Sequence, residues 1–553
     1  MRNSHIIFTS LILAACSDHP YDPDAPAIDP NAPKIHITSP DRGAVQGDVH
    51  TVTVTGTASD DTAVKSVTVN DVPAALNSDG TWTAVIPAVA GTNLIHAIAT
   101  DDSGNTGKES RSFVAGPMQN LAMQVPDALT ASLSAATFQA IGRGAANYIK
   151  TADLEAVIAP ANPVIHAGDP SGPDCLYGQA HITSMTVGDA SIQMSPQTGG
   201  LYLDGELSNV RIGMHLQWSV SCLDGSRDIV VTADKISVTG NMAVGLTATK
   251  DFDISLDNPT VKLTNFGLDL GGVPGEIVSL LHIDTALGPV IGWAVTKFVT
   301  PMLNNAFAGL NQTKTVAILK SMVDISVKPD QLDFSSTGAI IKLNTQIRAH
   351  GDTGKFVFVD NQVPAMDASN GFELAVADDA ANQALASMWS AKGLDDSIAL
   401  ANSPYGDIGT LYDTVEIETL APPFVDASNA DSGLVLTIGD LMAKFENQGS
   451  LATEAAIQAQ VALKVDTNAD GSLKFDVGDP TVFVDVLDEG VEGANQLSNA
   501  QFEAIASFAV SRVISVGSAS LSSIALPTFG GVGVTDIKIN PQTGYLVVQG
   551  EVQ

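Results

Sequence analysis

The chain has 553 residues, 61 Asp and Glu against 26 Lys and Arg, a formal net charge of −35, and 44% hydrophobic residues. That length allows several domains with cores of their own, and the charge excludes a phosphate-tracking nucleic-acid binder and a polybasic membrane-surface protein. Only 16% of the residues are charged, so the acidity comes from scarce basic residues and not from acidic runs, as in a folded chain.

Residues 1–15 predict a signal peptide. Ile6 to Ala15 form an apolar stretch behind Arg2, about 15 Å of helix and half of a bilayer core. Leu13-Ala14-Ala15-Cys16 resembles the bacterial lipobox, whose Cys is diacylated and becomes the first residue after cleavage. That resemblance implies a chain held to the bacterial envelope through Cys16. Ser17, not Asp, follows the Cys, which favours the outer over the inner membrane. Residues 16–33 are Pro- and Asp-rich, an extended tether with a reach of roughly 50 Å. With Cys16 lipidated, Cys175 and Cys222 remain. In an oxidising compartment a disulfide is the default, worth about 3–4 kcal/mol if unstrained; two free thiols or a metal pair is the poorer reading.

Residues 34–116 predict a β-sandwich. Ile35 and Ile37, Val52 and Val54, and Val67 and Val69 alternate with polar neighbours, and Asn77-Ser78-Asp79-Gly80 and Asp101 to Asn105 supply turns. The run resembles bacterial immunoglobulin-like modules, which space or stiffen surface proteins. Asp60, Asp61, Asp101 and Asp102 are turn formers before they are Ca²⁺ ligands.

Beyond residue 116 a repeat stands out. Shifted by 345 positions, Ser195 to Leu207 overlies Asn540 to Val552, sharing Pro-Gln-Thr-Gly and Gly-Glu at fixed spacing. Two related domains are expected, 117–325 and 326–553, the second carrying the central sheet. Their strands are two-faced. Leu201, Leu203 and Leu207 oppose Tyr202, Asp204 and Glu206; then Val210, Ile212, Met214, Leu216, Trp218 and Val220 oppose Arg211, His215, Gln217 and Ser219. In the second half Ile457, Val461, Leu463 and Val465 oppose Gln458, Gln460 and Lys464. Strands this long and two-faced predict curved antiparallel sheets closing around something apolar, with Gly205, Ala459, Ala462 and Gly550 leaving room inside. Helices are expected at 128–149, 276–310, 374–389 and 498–516. In the second, Leu280, Leu287, Ile291, Ala294, Phe298 and Met302 fall near one face, while Asp284 and Lys297 leave too short an apolar interval for a membrane span.

HITSMTVGDASIQMSPQTGGLYLDGELSNVRIGMHLQWSV, the apolar helix, ELAVADDAANQALASMWSAKGL, DLMAKF and ALPTFGGVGVTDIKINPQTGYLVVQGEV follow one another in an order that resembles the bactericidal/permeability-increasing, lipopolysaccharide-binding and cholesteryl-ester-transfer proteins, the tubular lipid-binding superfamily. The segment with Asp378, Asp379, Asn382, Leu385 and Trp389 and the closing segment carry it most specifically. It implies a mostly β protein with long helices (α+β), in which the N-terminal sandwich precedes two rolled sheet-plus-helix barrels arranged as a boomerang. It also implies acyl chains in apolar tunnels and one disulfide in the first barrel, for which Cys175–Cys222 is a counterpart. Leu201, Leu203, Ile212, Met214, Leu216, Trp218, Leu280, Leu287, Ile291, Phe298, Met302, Ile457, Val461 and Leu463 are the expected lining. The family's basic, lipopolysaccharide-neutralising tip is missing, so phospholipid or another hydrophobic ligand held by its tails is expected.

Chemistry is hard to find. G-x-S-x-G, H-E-x-x-H, Walker and C-x-x-C motifs are absent from the sequence. Gly142-Arg143-Gly144 suits small-residue packing, and Asp466 to Gly471 a hairpin turn with Val477 where a calcium loop needs Glu. No enzyme, cofactor, metal or nucleic-acid partner is expected. The rival readings are a surface adhesion lipoprotein with the barrels as scaffold, and an esterase needing a Ser beside a His at a tunnel mouth.

Overall fold

The computed structural model describes residues 31–172, 175–282, 307, 310–369, 371–400, 408–427, 433–467, 473–488, 505, 514 and 534–552. Cys16, the expected helix positions Leu287, Ile291, Phe298 and Met302, most of 498–516 and the expected turn residues 468–471 lie outside the described residues.

Residues 34–115 form two facing sheets. One orders Lys34–Ser39, Thr51–Ser59, Thr81–Pro87 and Ala75–Leu76; the other orders Ala44–Gly47, Thr106–Ala115, Gly91–Asp101, Val64–Val69 and Val72–Pro73. Along Thr51–Ser59 each Val points inward and each Thr outward, because successive strand residues face opposite sides. Ile37, Val54, Trp82, Ile95 and Phe113 fill the space between the sheets.

A seven-stranded central sheet organises the rest. Its order is Gln312–Ile318, Ser321–Phe334, Gly338–Ala349, Val125–Ser134, Phe372–Ala377, Tyr545–Val552, Val534–Gln542. It is therefore not confined to 326–553. Val125–Ser134 and Phe372–Ala377 pair antiparallel at its middle, and each runs straight into a helix, Ala135–Thr151 and Asp378–Ser390. Both helices begin later than expected, at Ala135 instead of Ala128 and at Asp378 instead of Leu374. The apolar residues ahead of each satisfy their backbone groups in the sheet, which periodicity in a short run cannot distinguish from helix. Ser134 ends the first strand and caps the helix, its Oγ accepting from Thr137 N at 3.3 Å.

The 345-residue repeat is one hairpin used twice. Ser195 pairs Tyr202 and Gln197 pairs Gly200; Asn540 pairs Val547 and Gln542 pairs Tyr545, the same register under the shift. The places differ. The first copy lies in a lateral sheet and the second in the central sheet, where its counterpart about the middle pair is Ser321–Phe334 with Gly338–Ala349. The duplicated plan is thus carried by the central strands and their helices.

Two lateral sheets complete the fold. The first orders Ile165–Gly168, Tyr177–Thr186, Gly200–Val220, Leu223–Leu246 and Phe252–Leu268, with Asp189–Gln197 also on Gly200–Val220. The second orders Asp396–Ala399, Thr414–Thr419, Leu434–Asn447, Ser450–Thr467 and Leu473–Val477, with Phe424–Asp426 and Thr481–Asp488 beside them. Among the described residues neither sheet closes on itself, and each is a half-barrel. Cys175 and Cys222 form the disulfide, at a Cα separation of 4.9 Å.

The immunoglobulin-like module is not a free spacer. It packs on the second lateral sheet through buried charge. Asp440, fully buried, accepts from Ser112 N at 2.7 Å, Ser112 Oγ at 2.8 Å, Arg42 Nη1 at 2.7 Å and Gln458 Nε2 at 2.6 Å. Arg42 also pairs with Asp485 and lies 3.5 Å from Glu109, which Arg111 holds at 2.9 Å. His96 stacks on Phe483 with ring centroids 3.6 Å apart. A Cβ at Gly91 would lie 2.3 Å from the Phe424 ring, so this close approach needs glycine. Docking also buries Gln458, which alternation alone places on a solvent face.

Candidate lipid-binding face

On Gly200–Val220 the buried apolar side chains are Leu201, Leu203 and Leu207, then Val210, Ile212, Met214 and Leu216. The change from odd to even is mirrored on Leu223–Leu246, where Ile229, Val231 and Ala233 give way to Ile236, Val238 and Met242. Both changes fall on one cross-strand line. Asn209 lies opposite Asp234, and Asp234 opposite Asn265; Asn209 and Asn265 each have φ of 50°, and Asn265 Nδ2 donates to Asp234 Oδ2 at 2.7 Å. A left-handed residue advances the alternation by one, and Asn bears that conformation best after Gly. The seam keeps one continuous apolar face along a strand that changes phase.

The helix Ala135–Thr151 packs on this lateral sheet at Asp189–Gln197. A Cβ on Gly142 would lie 2.4 Å from Ile192 O, so Gly142 serves close helix–strand packing. The helix Gly275–Leu281 packs at Tyr177–Thr186, where Leu281 lies over Gly178. Leu201, Leu203, Ile212, Met214 and Leu216 are buried and join the main apolar cluster, with Trp218 and Leu280 partly buried against it. Ile457, Val461 and Leu463 are buried in the same cluster. Ala462 is exposed and leaves no room inside; Gly205 meets only Val238 O at 3.5 Å.

Cover over this face is uneven. Val261, Leu263, Phe266, Leu268, Leu270 and Val273, on and just after Phe252–Leu268, are only partly buried while contacting the cluster. An apolar strip continuous with a core, yet reached by water, gains free energy from any hydrocarbon laid on it. Alternation along a strand carries no measure of how far the cover over a face extends.

The helix Asp378–Ser390 is the polar support of the second half, and sequence reasoning valued it only as a resemblance. Asn382 donates to Val425 O at 2.9 Å and accepts from Val425 N at 2.8 Å. Gln383 accepts from Ile347 N and donates to Leu121 O and Met123 O. Ser387 accepts from Ala349 N, and Trp389 Nε1 donates to Thr419 O. One helix thus satisfies backbone groups of four segments, which explains why polar residues fill a buried helix.

At its start, Asp379 accepts from Val359 N and Asp378 from Ala427 N. Burial, with the Asp379 and Asp426 charges, pushes the Asp378 carboxyl up to about 8. Burial, with the Asp360 charge, pushes Asp379 up to about 7. Both carboxyls hold protons more tightly in the folded chain than in the unfolded one. Their stabilising contribution is therefore complete below about pH 4 and is lost as pH rises through 7 and 8. Asp485, pushed up to about 6 mainly by burial, acts in the same direction. Calorimetric Tm is expected to fall between pH 6 and 8.5, with a smaller fall in Asp379→Asn; a Tm that rises over this interval contradicts the assignment.

Among the described residues, no group of three His, Cys, Asp or Glu is placed to hold a metal, and no helix is long and apolar enough to cross a membrane. Asp60 bonds Thr62, and Asp101 bonds Asn105, both as turn formers. The strands around Asp466 to Gly471 pair as a hairpin. His96 Nδ1 lies 3.0 Å from Ser110 Oγ, but this pair sits in the docked module interface with Phe483 on the ring and no carboxylate bonded to the imidazole among the described residues.

Residues 33–116 match the family described as glucodextranase, domain B; the match covers the immunoglobulin-like module. No curated protein matches the chain. Among solved structures, the chain is similar to a lipopolysaccharide binding protein at 14% identity and a TM-score of 0.36, over 78% of this chain and 99% of that one. It is also similar to P47 of Clostridium botulinum E1 at 9% identity and a TM-score of 0.21, over 77% of this chain and 98% of that one.

Proposed function

We propose that this protein is a bacterial envelope lipoprotein that binds the acyl chains of phospholipid, or another hydrophobic molecule, between its lateral sheets and helices, without covalent chemistry. Cys16 carries the lipid anchor, in the outer membrane by the residue that follows it. One observation supports the reading above the others: the partly covered run Val261, Leu263, Phe266, Leu268 and Leu270, continuous with the main apolar cluster. Burial of CH₂ groups drives binding at about 0.8 kcal/mol each, on the order of 10 kcal/mol for a fourteen-carbon chain before ordering costs. Headgroup charge is not needed for this, which suits a chain of net charge −35.

Native mass measurement of the full protein from envelope fractions is expected to find extractable lipid, and the intact mass to report diacylglycerol on Cys16. A fluorescent fatty-acyl probe is expected to bind, and the Leu263→Asp/Phe266→Asp double variant to bind it at least tenfold more weakly, about 1.4 kcal/mol or more. Protein that carries no lipid and takes up no probe overturns the proposal.

A further inference from the structure

The geometry points to a second site, for the hydroxyl groups of a neutral pyranose sugar, on the outer face of the first lateral sheet beside the Cys175–Cys222 disulfide. Most of its lining lies on the side of the sheet away from Leu216 and Met214, and Trp218, partly buried against the main apolar cluster, borders it.

Three strands place six polar residues in two adjacent rungs. Tyr177 pairs Ser219, which pairs Asp224; Gln179 pairs Gln217, which pairs Ser226. Cross-strand partners share a face, so the rungs form a grid with neighbours about 5 Å apart across the strands and about 7 Å along them. Pro170 flanks the grid, and the pocket there has a volume of about 470 Å³, within the range of small-molecule sites.

The hydrogen bonds inside the grid leave its ligand-facing capacity open. Tyr177 O–H donates to Gln179 Oε1, and Gln179 Nε2 donates to Gln217 Oε1. The relay ends with the Gln217 amide N–H groups undirected, since an amide has two donors beyond its carbonyl. Ser219 is 5% exposed, lines the pocket, and makes no side-chain hydrogen bond among the described residues. The buried polar atoms that lack a partner do not include its Oγ, so the hydroxyl stays accessible from the pocket and free to meet a ligand hydroxyl. Asp224 and Ser226 also line the pocket with no side-chain partner among the described residues.

The donor set selects the ligand class. Lys and Arg are missing from the lining and Asp224 is an acceptor only, which disfavours phosphate and other anions. Trp218, Tyr177 and Pro170 line the pocket beside Gln217, Ser219, Asp224 and Ser226, a mixture that suits a ligand with both C–H faces and hydroxyls better than a bare acyl chain. A pyranose presents hydroxyls that donate to the carboxylate and accept from amide and hydroxyl groups, and the Tyr177 ring offers an apolar surface to its C–H edge.

Calorimetry on the full protein with D-glucose, D-galactose, D-mannose and N-acetyl-D-glucosamine, and on phosphatidylcholine vesicles containing octyl β-D-glucoside, tests the assignment. At least one is expected to bind, with Asp224→Ala and Ser219→Ala each weakening it about tenfold or more and Asp204→Ala, on the outer face elsewhere, leaving it unchanged. Asp224 is exposed, so its variant keeps the fold even where Ser219→Ala does not, and Tm checks both. Binding of free sugar makes a soluble saccharide the ligand; binding only of the glucoside vesicles makes it a glycolipid headgroup. No binding in either arm, or binding that survives Asp224→Ala, overturns the assignment.

Discussion

Arg42→Ala is expected to lower unfolding free energy by about 3–5 kcal/mol, the usual cost of removing one partner from a buried charge cluster. Arg42 is 12% exposed and faces Asp440, Asp485 and Glu109, which are 0%, 16% and 6% exposed. With it gone, Arg111 is the one cation left for three carboxylates among the described members of this cluster. Asp440 keeps its bonds from Ser112 and Gln458 but loses its counter-charge. The module should then separate from the second lateral sheet before it unfolds, since the remaining contacts, the His96–Phe483 stack, the Thr92–Pro422 hydrogen bond and the small apolar cluster of Val114, Ala421 and Phe424, face a charge imbalance at their centre. Urea unfolding should shift from one transition toward two, and limited proteolysis should open sites between the module and residue 120. Arg143→Ala, on an exposed helix face, is the control and should change stability by less than about 0.5 kcal/mol. A single transition at the original urea midpoint would remove the docking argument.

The second large effect belongs to Gln383→Leu. Gln383 is fully buried, accepts from Ile347 N at 2.7 Å, and donates to Leu121 O at 3.2 Å and Met123 O at 2.8 Å. Leu fills similar space but leaves the Ile347 N–H and the Leu121 carbonyl buried without this partner, and the Met123 carbonyl part-buried without it. At about 1–3 kcal/mol for each orphaned group, a loss of at least about 3 kcal/mol is expected. Hydrogen exchange should rise first at Ile347 and across 121–123, the segments that the side chain joins. Leu385→Met, on the same helix, should cost less than about 1.5 kcal/mol. A loss under about 1 kcal/mol for Gln383→Leu would mean that these backbone groups find other partners.

Much of the fold was legible because strand alternation is a local property. Val52 and Val54, Leu201 and Leu203, and Ile212 to Leu216 declare their faces through period two, and turn residues mark the hairpins of the module. The hairpin repeat and the disulfide partners are readable for related reasons: the first depends on residue types at fixed short spacing, and for Cys175 and Cys222 a disulfide was the default among few alternatives. Ser219 and Gln458 mark the limit. Alternation put both on polar faces, and both are buried, Ser219 at the edge of a pocket and Gln458 under the docked module.

What the sequence alone determined about this protein is the direction of side chains along each strand and the acidic, Gly-rich character of the whole. Which of those faces is covered, and by what, was decided only in three dimensions. The module lies on the second lateral sheet because Arg42, separated from Asp440 and Asp485 by some four hundred residues, finds its counter-charges there. The strip at Val261 to Leu270 is partly buried, and among the described residues the helices Ala135–Thr151 and Gly275–Leu281 pack on other strands of that sheet. Burial is a sum over neighbours from distant parts of the chain, and no periodicity in a local run encodes that sum.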